Sequence, residues 1–210
     1  LHLILRRQRQ MCIRDRIYNT LSKKIEDFIP INKSHIKIYV CGPTVYDKIH
    51  IGNARPLVVF DTFVRLLRYK YPKVTYVRNI TDVDDKINDR LISEKITLKD
   101  LTDKTINDFQ KDCTSLNNLY PDYEPRATEH ISEMIKMIEN LILNEFAYLS
   151  KGHVLFNIKK FPEYGSLSNR TLDEMISGSR VEIADYKINS ADFVLWKPSE
   201  PNIPGWESPW

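Results

Sequence analysis

The sequence predicts an α/β chain built on a parallel β-α-β unit. Three observations carry that prediction. Ile36 to Val40 is an apolar run of strand length. It breaks at Cys41-Gly42-Pro43, and after His50 a helical pattern opens with Leu57, Phe60, Phe63, Val64 and Leu67 at helical spacing. Val74 to Ile80 then alternates Val, Tyr, Val and Ile around Thr75 and Arg78, as a second strand does. A strand, a helix and a strand in this order make a parallel crossover that receives ligand at its strand C-termini.

The elements follow in order. Leu1 to Arg16 holds five arginines against one aspartate, a net +4, which leaves −1 for the rest of a chain of net +3. Nucleic-acid binding therefore cannot be argued from overall charge, and any basic surface must be local. The apolar start, Leu1 to Leu5, is too short for a secretory signal, and the basic residues follow it rather than precede it. Residues 1–16 are compatible with a mitochondrial-type presequence. The plainer reading is a non-native or disordered leader, an assembly or translation scar. Ile17 to Ile31 reads as a mixed lead-in. In the helix after His50, Pro56 falls near the first turn, where a missing N–H costs little.

Ser93 to Leu116 contains a second helix. Thr97-x-x-Asp100 is its capping signal, and Leu98, Leu101, Phe109 and Leu116 form its apolar stripe. Pro121 and Pro125 break the pattern. Ile131, Met134, Ile135, Ile138, Leu141 and Ile142 make an amphipathic helix. From Lys151 to Trp196 the texture changes to short strands and loops, with Val154, Phe156 and Ile158 alternating. That segment reads as a small insertion, and Pro198, Pro201 and Pro204 mark the way back.

Apolar content of 42% and charged content of 28% are ordinary for a globular chain. No apolar run reaches the ~18–20 residues that span a bilayer. The three cysteines, Cys12, Cys41 and Cys113, have no paired spacing, which argues against a disulfide framework and fits a reducing cytosol. Cys113 falls in a helical apolar pattern and reads as a small core residue.

The chemistry concentrates between Tyr39 and Asn53. A thiol, Cys41, closes the first strand, and an imidazole, His50, stands at the helix mouth. A helix N-terminus offers unpaired N–H groups and a positive dipole end, so it favours phosphate. Gly42 and Gly52 let a ligand approach the backbone.

The segment Cys41-Gly42-Pro43-Thr44 through His50-Ile51-Gly52-Asn53 resembles the nucleotide-binding signature of class I aminoacyl-tRNA synthetases, in the form seen in cysteinyl-tRNA synthetases. Three further blocks are similar to that family: Tyr76 to Lys86, Glu124 to Thr128, and Asp192 to Lys197. The resemblance runs from about Ile17 to Trp210. It implies the first half of a class I synthetase Rossmann-type parallel sheet with an α+β insertion. On it, residues 17–125 are the first half of the catalytic domain, 126–200 the connective insertion, and 201–210 the start of the return.

The resemblance also implies roles. His50, Gly52 and Asn53 would be catalytic, gripping the ATP phosphates. Pro43, Thr44 and Ile51 would join them in binding ATP. Gly42, Thr44 and Thr81 would line the cysteine pocket, and Cys41 would ligate Zn²⁺. Asn53 departs from the commoner histidine and carries no positive charge. From residue types alone, His50 and Asn53 also read as a loop histidine and a helix-capping asparagine. Cys41 also reads as a buried structural thiol, and Thr44 and Thr81 as β-branched turn hydroxyls. Asp82, Asp84 and Asp85 could hold Mg²⁺, although helix capping and salt bridging account for them better. Arg55 and Arg78 could face phosphate or tRNA, or pair on the surface. Tyr46 and Asp47 could shape the pocket floor.

The implied activity is ATP-dependent activation of cysteine to cysteinyl-adenylate and its transfer to tRNA(Cys). Mg²⁺ would accompany ATP, and the protein would be cytoplasmic and monomeric, with no membrane partner. The other zinc ligands are expected beyond Trp210, so the 210 residues alone are expected to be inactive. Three other readings stand: the paralogous ligase that joins cysteine to a glucosaminyl-inositol, another His-x-Gly-His nucleotidylyltransferase, and a non-enzymatic binding fragment. The paralogue usually carries Thr-Pro-Tyr where this chain has Thr44-Val45-Tyr46.

Overall fold

The computed structural model describes residues 16–171, 174, 184–201 and 203–210. The segment read as a leader lies outside them, Cys12 included, except for Arg16. The elements run β1 (Arg16–Asn19), β2 (Lys24–Asp27), β3 (Ile36–Val40), α1 (Ile51–Lys70), β4 (Val74–Arg78), α2 (Asp85–Glu94) and α3 (Leu98–Ser115). After a 3-10 turn at Ala127–His130 come α4 (Ile131–Leu143), β5 (Ala147–Ser150), β6 (His153–Phe156) and β7 (Phe193–Trp196). They fall into two compact units. One is Ile31–Met137 with Pro198–Pro209; the other combines the described residues of Leu1–Pro30 with those of Ile138–Lys197, and Trp210.

The first unit holds the parallel pair that the sequence predicts. β3 and β4 run in register from Ile36 opposite Val74 to Val40 opposite Arg78. A third extended segment lies along the other edge of β4. The Arg78 N–H donates to the Tyr123 carbonyl at 3.1 Å, and the Ile80 N–H donates to that of Pro125 at 2.9 Å. Both contacts are parallel bridges, Val77 with Tyr123 and Ile80 with Arg126. Helix α1 buries Ala54, Leu57, Asp61, Val64 and Leu67, a three-and-four spacing that puts them on one face. Val64 packs with Val40 and Tyr76; Leu57 packs with Val45, Ile80, Ile106, Phe109 and Cys113. Each such aliphatic side chain contributes roughly 1.5–3 kcal/mol on burial. Cys113 is thus a core thiol, and burial pushes its pKa up.

Two local details differ from the sequence reading. Pro56 is the sixth residue of α1, not a first-turn residue. Its missing N–H removes the bond that would close on the Gly52 carbonyl. The sequence marks α2 only through the capping role of its aspartates and gives it no span, since Ile87 and Leu91 are its only buried residues among many charged ones. The Thr97 signal does cap α3: the Asp100 N–H donates to Thr97 Oγ1 at 3.1 Å, and Thr97 Oγ1 donates to Asp100 Oδ2 at 2.7 Å.

The second unit is a three-stranded antiparallel sheet, β5-β6-β7. Its core joins Ile138, Ala147 and Val154 to Leu141, Ile142, Leu195, Trp196 and Trp210. β1 and β2 form a separate antiparallel hairpin. Asp192, 1% exposed, ties the unit together. Its carboxylate accepts from the Tyr148 hydroxyl at 2.7 Å, the Ile158 N–H at 3.1 Å and the Asn189 N–H at 3.0 Å.

Tyr148 gives a pH-dependent expectation. Burial, and then the Asp192 carboxylate, push its phenol up to about 12, against the Ile188 N–H, which favours the phenolate. The folded pKa therefore lies above the unfolded value of about 10. Its contribution to stability is complete below about pH 10 and is lost as pH rises toward about 12. Denaturant midpoints across that window should fall more steeply for the parent chain than for Tyr148→Phe. Equal slopes would remove Tyr148 as the titrating group.

Candidate functional site

The two parallel strands end side by side, and the loops beyond them remain laced together. Val40 faces Arg78 in the last register pair. Just beyond, the backbones pinch: a Cβ on Gly42 would lie 1.6 Å from the Asn79 carbonyl oxygen. Only glycine fits there without moving a strand. Pairing then resumes. The Val45 N–H donates to the Thr81 carbonyl at 3.0 Å, the Thr81 N–H donates to the Pro43 carbonyl at 3.0 Å, and Thr44 and Thr81 form a parallel bridge. The two threonines, read from sequence as pocket residues or turn hydroxyls, are brought together half-buried at the strand ends.

His50 is the N-cap of α1. Its Nδ1 accepts from the Gly52 N–H at 3.0 Å, and Asn53 Oδ1 accepts from the His50 N–H at 3.1 Å. This is a reciprocal capping box written with His and Asn in place of Ser or Thr and Glu. An Nδ1 that accepts an N–H carries no proton, so in neutral His50 the proton sits on Nε2. The residue is exposed, and among the described residues Nε2 has no hydrogen-bond partner. Gly52 permits this fold-back, since a Cβ there would meet the imidazole Cε1 at 2.8 Å. The capping reading of Asn53 therefore describes its Oδ1. Among the described residues its Nδ2 has no partner. Ile51 stands 86% exposed between them.

Cys41 is exposed rather than buried, and among the described residues its thiol donates to the Gly42 carbonyl at 3.7 Å. Zinc in proteins takes four ligands in structural sites and three plus water in catalytic ones. Among the described residues no group of three or more His, Cys, Asp or Glu could hold a metal ion. The donors among the described residues therefore do not make up a complete zinc site.

The three aspartates divide. Asp84 caps α2 by accepting from the Lys86 N–H at 2.9 Å, and Asp85 lies in that helix's first turn. Asp82 is buried and accepts from both the N–H and the hydroxyl of Thr128, at 2.9 and 2.6 Å. Capping and loop tethering account for Asp82 and Asp84. Arg78 faces neither phosphate nor surface. It is 1% exposed, bonds Glu124 Oε1 at 2.6 Å through Nη2, and lies 4.8 Å above the Phe109 ring. Burial opposes its charge, but the Glu124 carboxylate more than offsets this and raises its pKa.

Tyr46 and Asp47 are held from α2. The Lys86 ammonium lies 5.0 Å from the Tyr46 ring centroid, and Arg90 bonds both the Tyr46 carbonyl and, at 3.2 Å, the Asp47 carboxylate. The Lys48 N–H, and then Arg90, hold that carboxylate below its usual range. The sequence assigns no role to Arg90 or Asn79, although Asn79 lies in the Tyr76 to Lys86 block; both act through bridges that exist only once α2 and the parallel pair form.

Comparison with known proteins gives a consistent result. The family profile of the tRNA synthetases class I (C) catalytic domain matches residues 27–210. The chain is 56% identical over 194 residues to the cysteine–tRNA ligase of Rhodospirillum rubrum, covering 92% of this chain and 42% of that protein. It is 56% identical over 198 residues to that of Granulibacter bethesdensis, with the same coverage. The cysteine–tRNA ligase of Paramagnetospirillum magneticum is 55% identical over 194 residues. The chain thus spans 42% of the length of these relatives. Among the described residues no helix is long and apolar enough to cross a membrane.

Proposed function

Since the chain belongs to the tRNA synthetases class I (C) catalytic domain family, we propose that it carries the ATP- and cysteine-binding strand ends of a cysteine–tRNA ligase. The observation that carries this reading is the position of His50. It caps the start of α1, the helix that follows β3 in the chain, with Nδ1 taken up by the Gly52 N–H and Nε2 left to carry the proton of the neutral ring.

The proposed chemistry is positioning and charge stabilisation. His50 donates from Nε2 to a phosphate oxygen of ATP, and Asn53 donates from Nδ2. The α1 N-terminus adds its dipole. Gly52, Ile51, Pro43 and Thr44 admit the nucleotide. Gly42, Thr44 and Thr81 form the cysteine pocket. Cys41 is this chain's contribution to a zinc site, and Mg²⁺ arrives with ATP. Class I activation joins the cysteine carboxylate to the α-phosphate and releases pyrophosphate; the cysteinyl group then passes to tRNA(Cys). The proposed setting is a cytoplasmic monomer.

Labelled cysteine and ATP, offered to the intact gene product with tRNA or with glucosaminyl-inositol, test the acceptor. Base-labile label on tRNA is expected. Label only on the glucosaminyl-inositol would move the protein to the paralogous ligase, and adenylyl transfer independent of cysteine would move it to the nucleotidylyltransferases.

A further inference from the structure

We propose that Asn79 is a positioning residue for the amino-acid pocket, fixing the Cys41-Gly42 strand end with one side of its amide and the Thr81 hydroxyl with the other. The inference rests on the reading of Gly42 and Thr81 as pocket residues.

The orientation of the Asn79 amide is forced by its neighbours. The Gly42 N–H can only donate, and it lies 2.7 Å from Oδ1. The Tyr39 hydroxyl converges on the same oxygen at 2.9 Å. The amide nitrogen is therefore turned to the other side, where Nδ2 donates to Thr81 Oγ1 at 3.2 Å. Thr81 Oγ1 accepts, and its own hydrogen is left to donate to an acceptor on the ligand. The bridge sits where the backbone ladder lapses, between the last register pair, Val40 with Arg78, and the renewed pairing at Thr44 with Thr81. In that gap the side chain of Asn79 supplies the acceptor for the Gly42 N–H. A line of hydrogen bonds thus runs from the exposed Tyr39 through Asn79 to the half-buried Thr81.

Asn79→Asp separates positioning from scaffolding. An aspartate keeps an acceptor for Gly42 and Tyr39 but cannot donate to Thr81. The threonine hydrogen then turns to the new carboxylate and is withdrawn from the ligand. Tyr39→Phe is the second variant. It loosens the amide from the exposed side and leaves the strand core untouched.

Cysteine-dependent ATP–pyrophosphate exchange by the intact gene product reads the result. For Asn79→Asp the KM for cysteine should rise about tenfold, the cost of one lost hydrogen bond, with the KM for ATP and the unfolding midpoint unchanged. Tyr39→Phe should raise the KM for cysteine by about threefold. In Thr81→Val the Asn79→Asp change should add nothing further, since the two act as one unit. The proposal is overturned if both single variants keep the parental KM for cysteine, if the KM for ATP rises equally, or if Asn79→Asp and Thr81→Val act independently. If Thr81→Val leaves the KM for cysteine unchanged, the pocket reading itself fails, and the role of Asn79 with it.

Discussion

Replacing His50 with alanine in the intact gene product is expected to lower cysteine-dependent pyrophosphate exchange by about 10²–10³-fold, the usual loss when one preorganised donor to developing charge is removed. The same substitution also deletes the N-cap of α1, which costs about 1 kcal/mol of stability. The two effects are separable because they use different nitrogens. Nδ1 holds the Gly52 N–H, while Nε2 carries the proton of the neutral ring. His50→Asn offers a side-chain oxygen that caps a helix as well as any residue does. It should restore the unfolding midpoint and leave the exchange rate low. Recovery of exchange along with stability would mean that His50 acts only as a cap.

The second large effect lies behind the site. Glu124→Leu leaves the guanidinium of Arg78 buried without a carboxylate, and removing one partner of a buried pair typically costs 3–5 kcal/mol. Arg78 is 1% exposed, and its other contacts include the Phe109 ring face, the Cys113 sulfur at 3.9 Å and the Tyr76 hydroxyl. None of these replaces an anion. The unfolding midpoint should fall by roughly 10 °C. Changing both residues, Arg78→Met with Glu124→Leu, should recover most of the loss, because a buried ion pair is usually worth little more than apolar side chains of similar volume. A single variant that melts within about 2 °C of the parent would show that water reaches Arg78.

The parts of the fold that were legible are those where burial repeats with the period of the element. β3, α1, β4 and α3 bury residues at strand or helix spacing, and α4 carries its apolar residues at helical spacing although Ile138 is its one buried residue, so periodicity marks them. The β1–β2 hairpin is largely exposed, eliminating the alternation that a half-buried strand shows. Helix α2 buries only Ile87 and Leu91, and its cap, Asp84, sits in a cluster that could also be read as a metal site. The segment Tyr123 to Arg126 hides behind prolines that usually break strands, since Pro125 contributes a carbonyl to β4 and needs no N–H.

The site divides in the same way. Cys41, His50, Gly52 and Asn53 stand close in sequence, so a local window brings them together as candidates, and their proposed roles rest on the family resemblance. Arg78 could not be assigned, because its burial depends on Glu124, 46 residues away. Asn79 and Arg90 act across strand ends and between a helix and a loop. Side-chain bridges of that kind follow from register and packing, which no local window contains.

The amino-acid dependence of ATP–pyrophosphate exchange by the intact gene product tests the whole account most directly. Cysteine should support exchange, with serine at least about 10²-fold weaker, since a site built for a thiol discriminates strongly against a poorer ligand. Exchange that no amino acid stimulates, or that serine supports as well as cysteine, would contradict it.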